Sequence, residues 1–152
     1  QSLEGHWTFL FFGYTHCPDI CPTTMAILNQ VYTKLEQQKQ ALPQIVLVSV
    51  DPNRDTPRKL QEYVSYFNPA FIGATGSRKE IDNITQQLGI AYQIVVPKGK
   101  TLKTLGDNYL VDHSGAIILI DPQAQMHAIF TDSSDPERIA QEYVAIKELA
   151  QS

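Results

Sequence analysis

Two short, almost unbroken apolar runs dictate what this chain can fold into. Thr8 to Tyr14 reads TFLFFGY and Ile45 to Val50 reads IVLVSV. Neither approaches the ~20 residues of a membrane helix. Both are too continuous for a strand with one wet face, and so read as strands covered on both sides. Between them Met25, Leu28, Val31, Tyr32 and Leu35 recur at helical spacing, while Asn29, Gln30 and Lys34 fall elsewhere on the wheel. Pro18 and Pro22 fit only the first turn of that helix, where no intrahelical N–H bond is lost. The chain therefore opens as a β-α-β unit.

The remainder of the chain keeps the same grammar. Asp51 to Pro57 is dense in turn formers, and Thr56 as N-cap with Pro57 at the first helical position predicts a helix to about Phe67. Phe71–Ala74 is a brief strand candidate. Ser77 and Glu80 form a capping box that launches a helix through Leu88, ended by Gly89. Ala91–Val96 is a further strand. Pro97 to Asp112 then has three lysines, three glycine or proline residues and no periodicity, and is expected to be a long functional loop. Ala116–Ile120 and Met126–Phe130 flank Asp121–Gln125 as a hairpin. Asp135 and Pro136 cap a last helix, with Ile139, Tyr143, Ile146 and Leu149 or Ala150 facing inward. The expected architecture is α/β and thioredoxin-like: one domain, residues 1–152, with a central mixed sheet, helices on both faces and an inserted helix and strand segment.

The totals agree. A chain of 152 residues, 43% apolar, can bury one core. A net charge of −4 leaves no basic surplus for phosphates, which excludes nucleic acid as a partner. Gln1-Ser2-Leu3 carries no signal-peptide pattern, and the first strand starts almost at once, so a processed or trimmed chain is expected.

Both cysteines lie together in Tyr14-Thr15-His16-Cys17-Pro18-Asp19-Ile20-Cys21-Pro22. Two cysteines do not make a disulfide framework in a domain this size. Cys17 sits where a strand hands over to a helix, a position that favours a thiolate. Cys21, four positions on, lies one helical turn away, about 6 Å between Cα atoms, so a disulfide and shared metal ligation are both open. The spacing is one residue wider than the C-x-x-C of thiol oxidoreductases. Strands joined this way gather their loops at the C-terminal edge of the sheet, so Tyr14–Pro22, Asp51–Pro57 and Asp112–Ser114 should meet there. His113 lies on the third loop, where the thioredoxin topology normally carries a cis-proline and this chain has none. Two thiolates and an imidazole suit Cu(I), tolerate Cu(II) and also suit zinc.

GYTHCPDICPTTM, SVDPNRDTP, and VDHSG followed by a strand ending in Asp121-Pro122 together resemble the Sco (SenC/PrrC) family of copper chaperones, in order and over nearly the whole chain. The resemblance implies one copper, Cu(I) or Cu(II), bound by Cys17, Cys21 and His113. It implies copper delivery to, or thiol reduction at, the CuA centre of cytochrome c oxidase, with the CuA-bearing subunit and other copper chaperones as partners. It also implies an N-terminal membrane anchor, absent from this chain, and the periplasmic side of a bacterial inner membrane in preference to the mitochondrial intermembrane space. Asn53 departs from the family's usual Glu, and the opening hairpin expected before Trp7 is missing.

The alternative is a thiol–disulfide oxidoreductase in which Cys17 attacks and Cys21 resolves. A peroxiredoxin is excluded, because its P-x-x-x-T-x-x-C pattern would need Pro and Thr at Leu10 and Tyr14. His16 is read as structural or as a neighbour of the site, His6 and His127 as surface or core residues, and Met25 as core. Asp55 is read as turn and cap chemistry, Asp51 and Asp112 as weak candidates for orienting the site. Lys98, Lys100 and Lys103 are candidates for steering an acidic docking patch.

Overall fold

The computed structural model describes residues 5–15, 20–51, 55–77, 79–80, 82–84, 92–95, 110–113, 117–130 and 135–151, with the side chains of 20–21, 92–95, 110–113 and 151 outside the description. Its centre is β1 (Thr8–Gly13), every residue of which is buried. Alternation splits that strand between two cores. Phe9 and Phe11 join one cluster with Ile45, Leu47, Ile117 and Leu119. Leu10 and Phe12 join the other with Val46, Val48, Ile118 and Ile120. This double burial is why the strand shows no polar alternation.

Around β1 lie α1 (Ile20–Gln37), β2 (Gln44–Ser49), α2 (Pro57–Phe67), β3 (Ile72–Ala74), β4 (Tyr92–Val95), β5 (Leu110–His113), β6 (Ile117–Ile120), β7 (Met126–Phe130) and α3 (Pro136–Gln151). The main sheet has the order β3-β2-β1-β6-β7. β2 runs parallel to β1 and β3 parallel to β2, whereas β6 and β7 are antiparallel to their neighbours. α1, α2 and α3 bury Met25, Leu28, Val31, Leu35, Leu60, Val64, Ile139 and Tyr143 on one face. Ile84, in the helical residues 82–84, packs on the opposite face. The mixed sheet with helices on both faces is thus present.

Local signals also hold. Pro22 lies in the first turn of α1, while Pro18 is outside the described residues. Thr56 caps α2 by accepting from the Lys59 N–H at 3.1 Å, with Pro57 next. Ser77 and Glu80 exchange the two bonds of a capping box, at 3.0 and 3.2 Å; the expected end of that helix, Leu88 and Gly89, lies outside the described residues. In the β6–β7 turn, Asp121 Oδ1 accepts from the N–H groups of Gln123 and Gln125. Asp135 caps α3 through the Arg138 N–H.

Two expectations are corrected. The irregular stretch does not run to Asp112: Leu110–His113 is a strand, paired antiparallel with β4 so that Tyr92 faces His113 and Gln93 faces Asp112. Its order comes from that cross-strand ladder rather than from apolar periodicity. In α3, Leu149 is 75% exposed and Ala150 is exposed, whereas Lys147 is buried. The lysine's stem continues the stripe of Ile139 and Tyr143, and its Nζ stands 5.3 Å over the Tyr143 ring and donates to Gln40 Oε1.

Candidate metal centre

The C-terminal ends of β1 and β2 stand side by side, Gly13 opposite Ser49, and the Val50 N–H donates to the Gly13 carbonyl at 2.9 Å. The segments leaving these two ends are tied together. Asp55, only 2% exposed, accepts from the Thr15 N–H at 3.1 Å, from the Thr15 hydroxyl, and from the Ser49 hydroxyl at 2.7 Å. Ser49 Oγ in turn accepts from the Asp51 N–H at 3.0 Å, and the Asp51 carbonyl accepts from the Asp55 N–H at 3.0 Å. A buried carboxylate is costly unless donors surround it, and three donors surround this one. Two of the three expected loops therefore meet.

Of the turn and cap chemistry expected of Asp55, the turn is present in its N–H bond to the Asp51 carbonyl, the cap is Thr56, and the Asp55 carboxylate also holds the exit of β1. No local signal could have shown this, because Asp55 and Thr15 are forty residues apart. Asp51 is fully buried and serves the same turn through its backbone.

Cys21 is the second residue of α1, in the turn that begins just past this network. Cys17, His16, Asn53, Lys98, Lys100 and Lys103 lie outside the described residues. His113 ends β5, four residues before β6 begins at Ile117. Ile117 is paired with Phe11, so β6 starts where β1 is about to end. Four residues reach at most about 14 Å, so His113 is tethered to the edge from which the cysteine segment departs. Among the described residues no group of three or more His, Cys, Asp or Glu is placed to hold a metal.

The remaining histidines and Met25 are placed as expected. His6 is exposed. His127 stands edge-on to Trp7 at 5.3 Å, with its Nδ1 3.5 Å from Asp121 Oδ2. Met25 is fully buried in the core. Among the described residues no helix is long and apolar enough to cross a membrane.

Comparison with known proteins places this edge in context. A copper-bound structure of Arabidopsis thaliana ScoI superposes with a TM-score of 0.84 at 33% identity, covering 99% of this chain and 88% of that one. Copper-bound yeast Sco1 gives 0.82 at 31%, covering 94% and 76%. These structures have a thioredoxin-like fold, and the present sheet shares it. A putative copper-binding protein of Stutzerimonas stutzeri is 39% identical over 126 residues, 83% of this chain and 58% of that protein. The mitochondrial SCO1 homologue 1 of Arabidopsis thaliana is 36% identical over 139 residues, 91% of this chain and 40% of its own length. The chain thus spans about half the length of these curated relatives. The SCO1/SenC family description matches residues 1–148, and the chain belongs to that family.

Proposed function

We propose that this protein is a copper metallochaperone that holds one copper ion between Cys17, Cys21 and His113 and serves the assembly of the CuA centre of cytochrome c oxidase. The observation that carries the reading is the register of β6 on β1. It sets Ile117 against Phe11, with His113 four residues ahead of Ile117 and Cys21 in the first turn of the helix that follows β1, and this supports grouping the three residues. Relatives described as copper-binding, and Sco structures with copper bound, support the choice of metal.

The donor set suits a cargo that must arrive and leave. Two thiolates and a neutral imidazole leave one negative charge with Cu(I) and none with Cu(II), so either state is electrostatically acceptable. The helix start favours thiolate at the cysteines. Delivery to a CuA-bearing subunit, with exchange from other copper chaperones, fits a domain on the periplasmic side of a bacterial inner membrane. Because CuA assembly also needs reduced cysteines on the target, the same dithiol is suited to reduce them.

The test is a titration of reduced protein with copper, read by absorption and paramagnetic resonance. One tightly held copper per chain is expected, lost in Cys17→Ala and in Cys21→Ala. Either variant binding copper as tightly as the parent overturns the assignment.

A further inference from the structure

We infer that Asp55 is a positioning residue for the dithiol: it fixes Thr15 and so sets where the chain enters Cys17. The inference rests on the reading of Cys17 and Cys21 as the functional pair. Thr15 is two residues before Cys17 and five before α1 begins. Its backbone N–H and its hydroxyl both donate to the Asp55 carboxylate, one to each oxygen. That two-point hold fixes both the position and the rotation of the residue, which a single bond would not.

The holder is itself fixed. Asp55 Oδ2 also takes the Ser49 hydroxyl, Ser49 ends a strand buried in the sheet, and the Asp55 N–H is tied to the Asp51 carbonyl. Asp55 is followed at once by the Thr56 cap of α2, so the carboxylate is anchored to a helix start as well. The exit of β1 is thus registered against β2 and α2 and not left to the loop. Oδ2 accepts from the Thr15 N–H and the Ser49 hydroxyl and Oδ1 from the Thr15 hydroxyl, so Asp55→Ala removes all three bonds at once.

Position matters because a disulfide tolerates only a narrow range of Cα separations and a metal only narrow ligand distances. Loosening the entry to Cys17 should weaken both without removing a sulfur. Thr15→Val keeps the side-chain shape and the N–H bond but deletes the hydroxyl, and Thr15→Ser restores it. Ile45→Val, at the opposite end of β2 where Ile45 pairs with Phe9, is a fold-destabilised control remote from this edge.

Two readouts are taken on all of these and on Asp55→Ala. One is Cu(II) affinity with the thiolate-to-copper absorption band. The other, without copper, is the dithiol–disulfide equilibrium of Cys17 and Cys21 against glutathione. In Thr15→Val and Asp55→Ala, affinity should fall roughly tenfold. Disulfide formation should weaken roughly three- to tenfold. Thr15→Ser and Ile45→Val should stay at parent values. Parent-like values in folded Thr15→Val and Asp55→Ala overturn the proposal, as does an equal shift in Ile45→Val. A parent that binds no copper overturns the metallochaperone reading alone, since the glutathione equilibrium still decides the role of Asp55.

Discussion

Ile117 faces Phe11 across the β1–β6 ladder, so the start of β6 lies beside the last residues of β1. β1 approaches this edge from the N-terminal half and β6 departs from it. His113 is four residues ahead of Ile117, and Cys21 is the second residue of the helix that follows β1.

The histidine's contribution should depend on the oxidation state of copper. Two thiolates hold Cu(I) in nearly linear geometry, whereas Cu(II) prefers more donors, nitrogen among them. His113→Ala is expected to lower Cu(II) affinity well beyond its effect on Cu(I), measured by competition with chelators for each state. Equal losses would remove this division of labour.

Gly73 marks the closest approach of β3 to α2. A Cβ added there would meet the backbone carbonyl carbon and the Cβ of Leu60, both at 2.9 Å, and neither can swing away. Gly73→Ala should cost about 1–3 kcal/mol in denaturant unfolding. Gly76→Ala, whose nearest neighbour is the flexible Glu80 side chain at 3.3 Å, should cost clearly less. Equal costs would show that α2 can shift to make room.

Tyr143 should ionise late. Burial raises its phenol from 10.0 to about 12, and its hydroxyl donates to the Ala41 carbonyl. A raised folded-state value means that stability is intact below pH 10. It declines above that, because the unfolded chain ionises first, and the contribution is gone once the pH passes about 12. The difference between the tyrosinate absorbance titrations of the parent and Tyr143→Phe should show this phenol rising near pH 12. A difference complete by pH 10 would contradict its burial.

Glu80 should behave in the opposite sense. The Ser77 N–H, then the Ser77 side chain, hold its carboxyl below the ordinary glutamate value of 4.5. A depressed folded-state value gives stability that is present above the unfolded value and is lost as the pH falls through the folded one. Carboxyl-detected NMR titration should place the Glu80 midpoint below 4.5, with the Ser77 and Glu80 amides losing protection over the same interval. A midpoint at or above that value would mean the capping box is not formed in solution.

Much of the fold could be read before any coordinates, and the reason differs by element. β1 was legible because burial on two faces writes an unbroken apolar run. α2 was legible because caps are local chemistry: Thr56 and Pro57 announce a helix whatever surrounds them. β5 was not, since Leu110–His113 owes its order to β4, and pairing leaves no signature in so short a segment. Lys147 was missed because its charge signals solvent, whereas its stem lies on the core and its Nζ finds Gln40 and the Tyr143 ring, partners distant in sequence or hidden by residue type. Of the candidate ligands, Cys17 and Cys21 stood out by type and spacing, and His113 by its place in the expected topology and by the family resemblance. Asp55 did not, because what it binds depends on how β1 and β2 lie together.

The β1–β6 pairing has a consequence for the order of events during synthesis and folding. More than two thirds of the chain separates Phe11 from Ile117, so this ladder closes a large loop and cannot form until β6 has been made. The two sulfurs, by contrast, are neighbours from the moment they are made. On the proposed ligand set, the dithiol is complete in the growing chain well before the imidazole that would join it, and that imidazole waits on the pairing of β6 with β1.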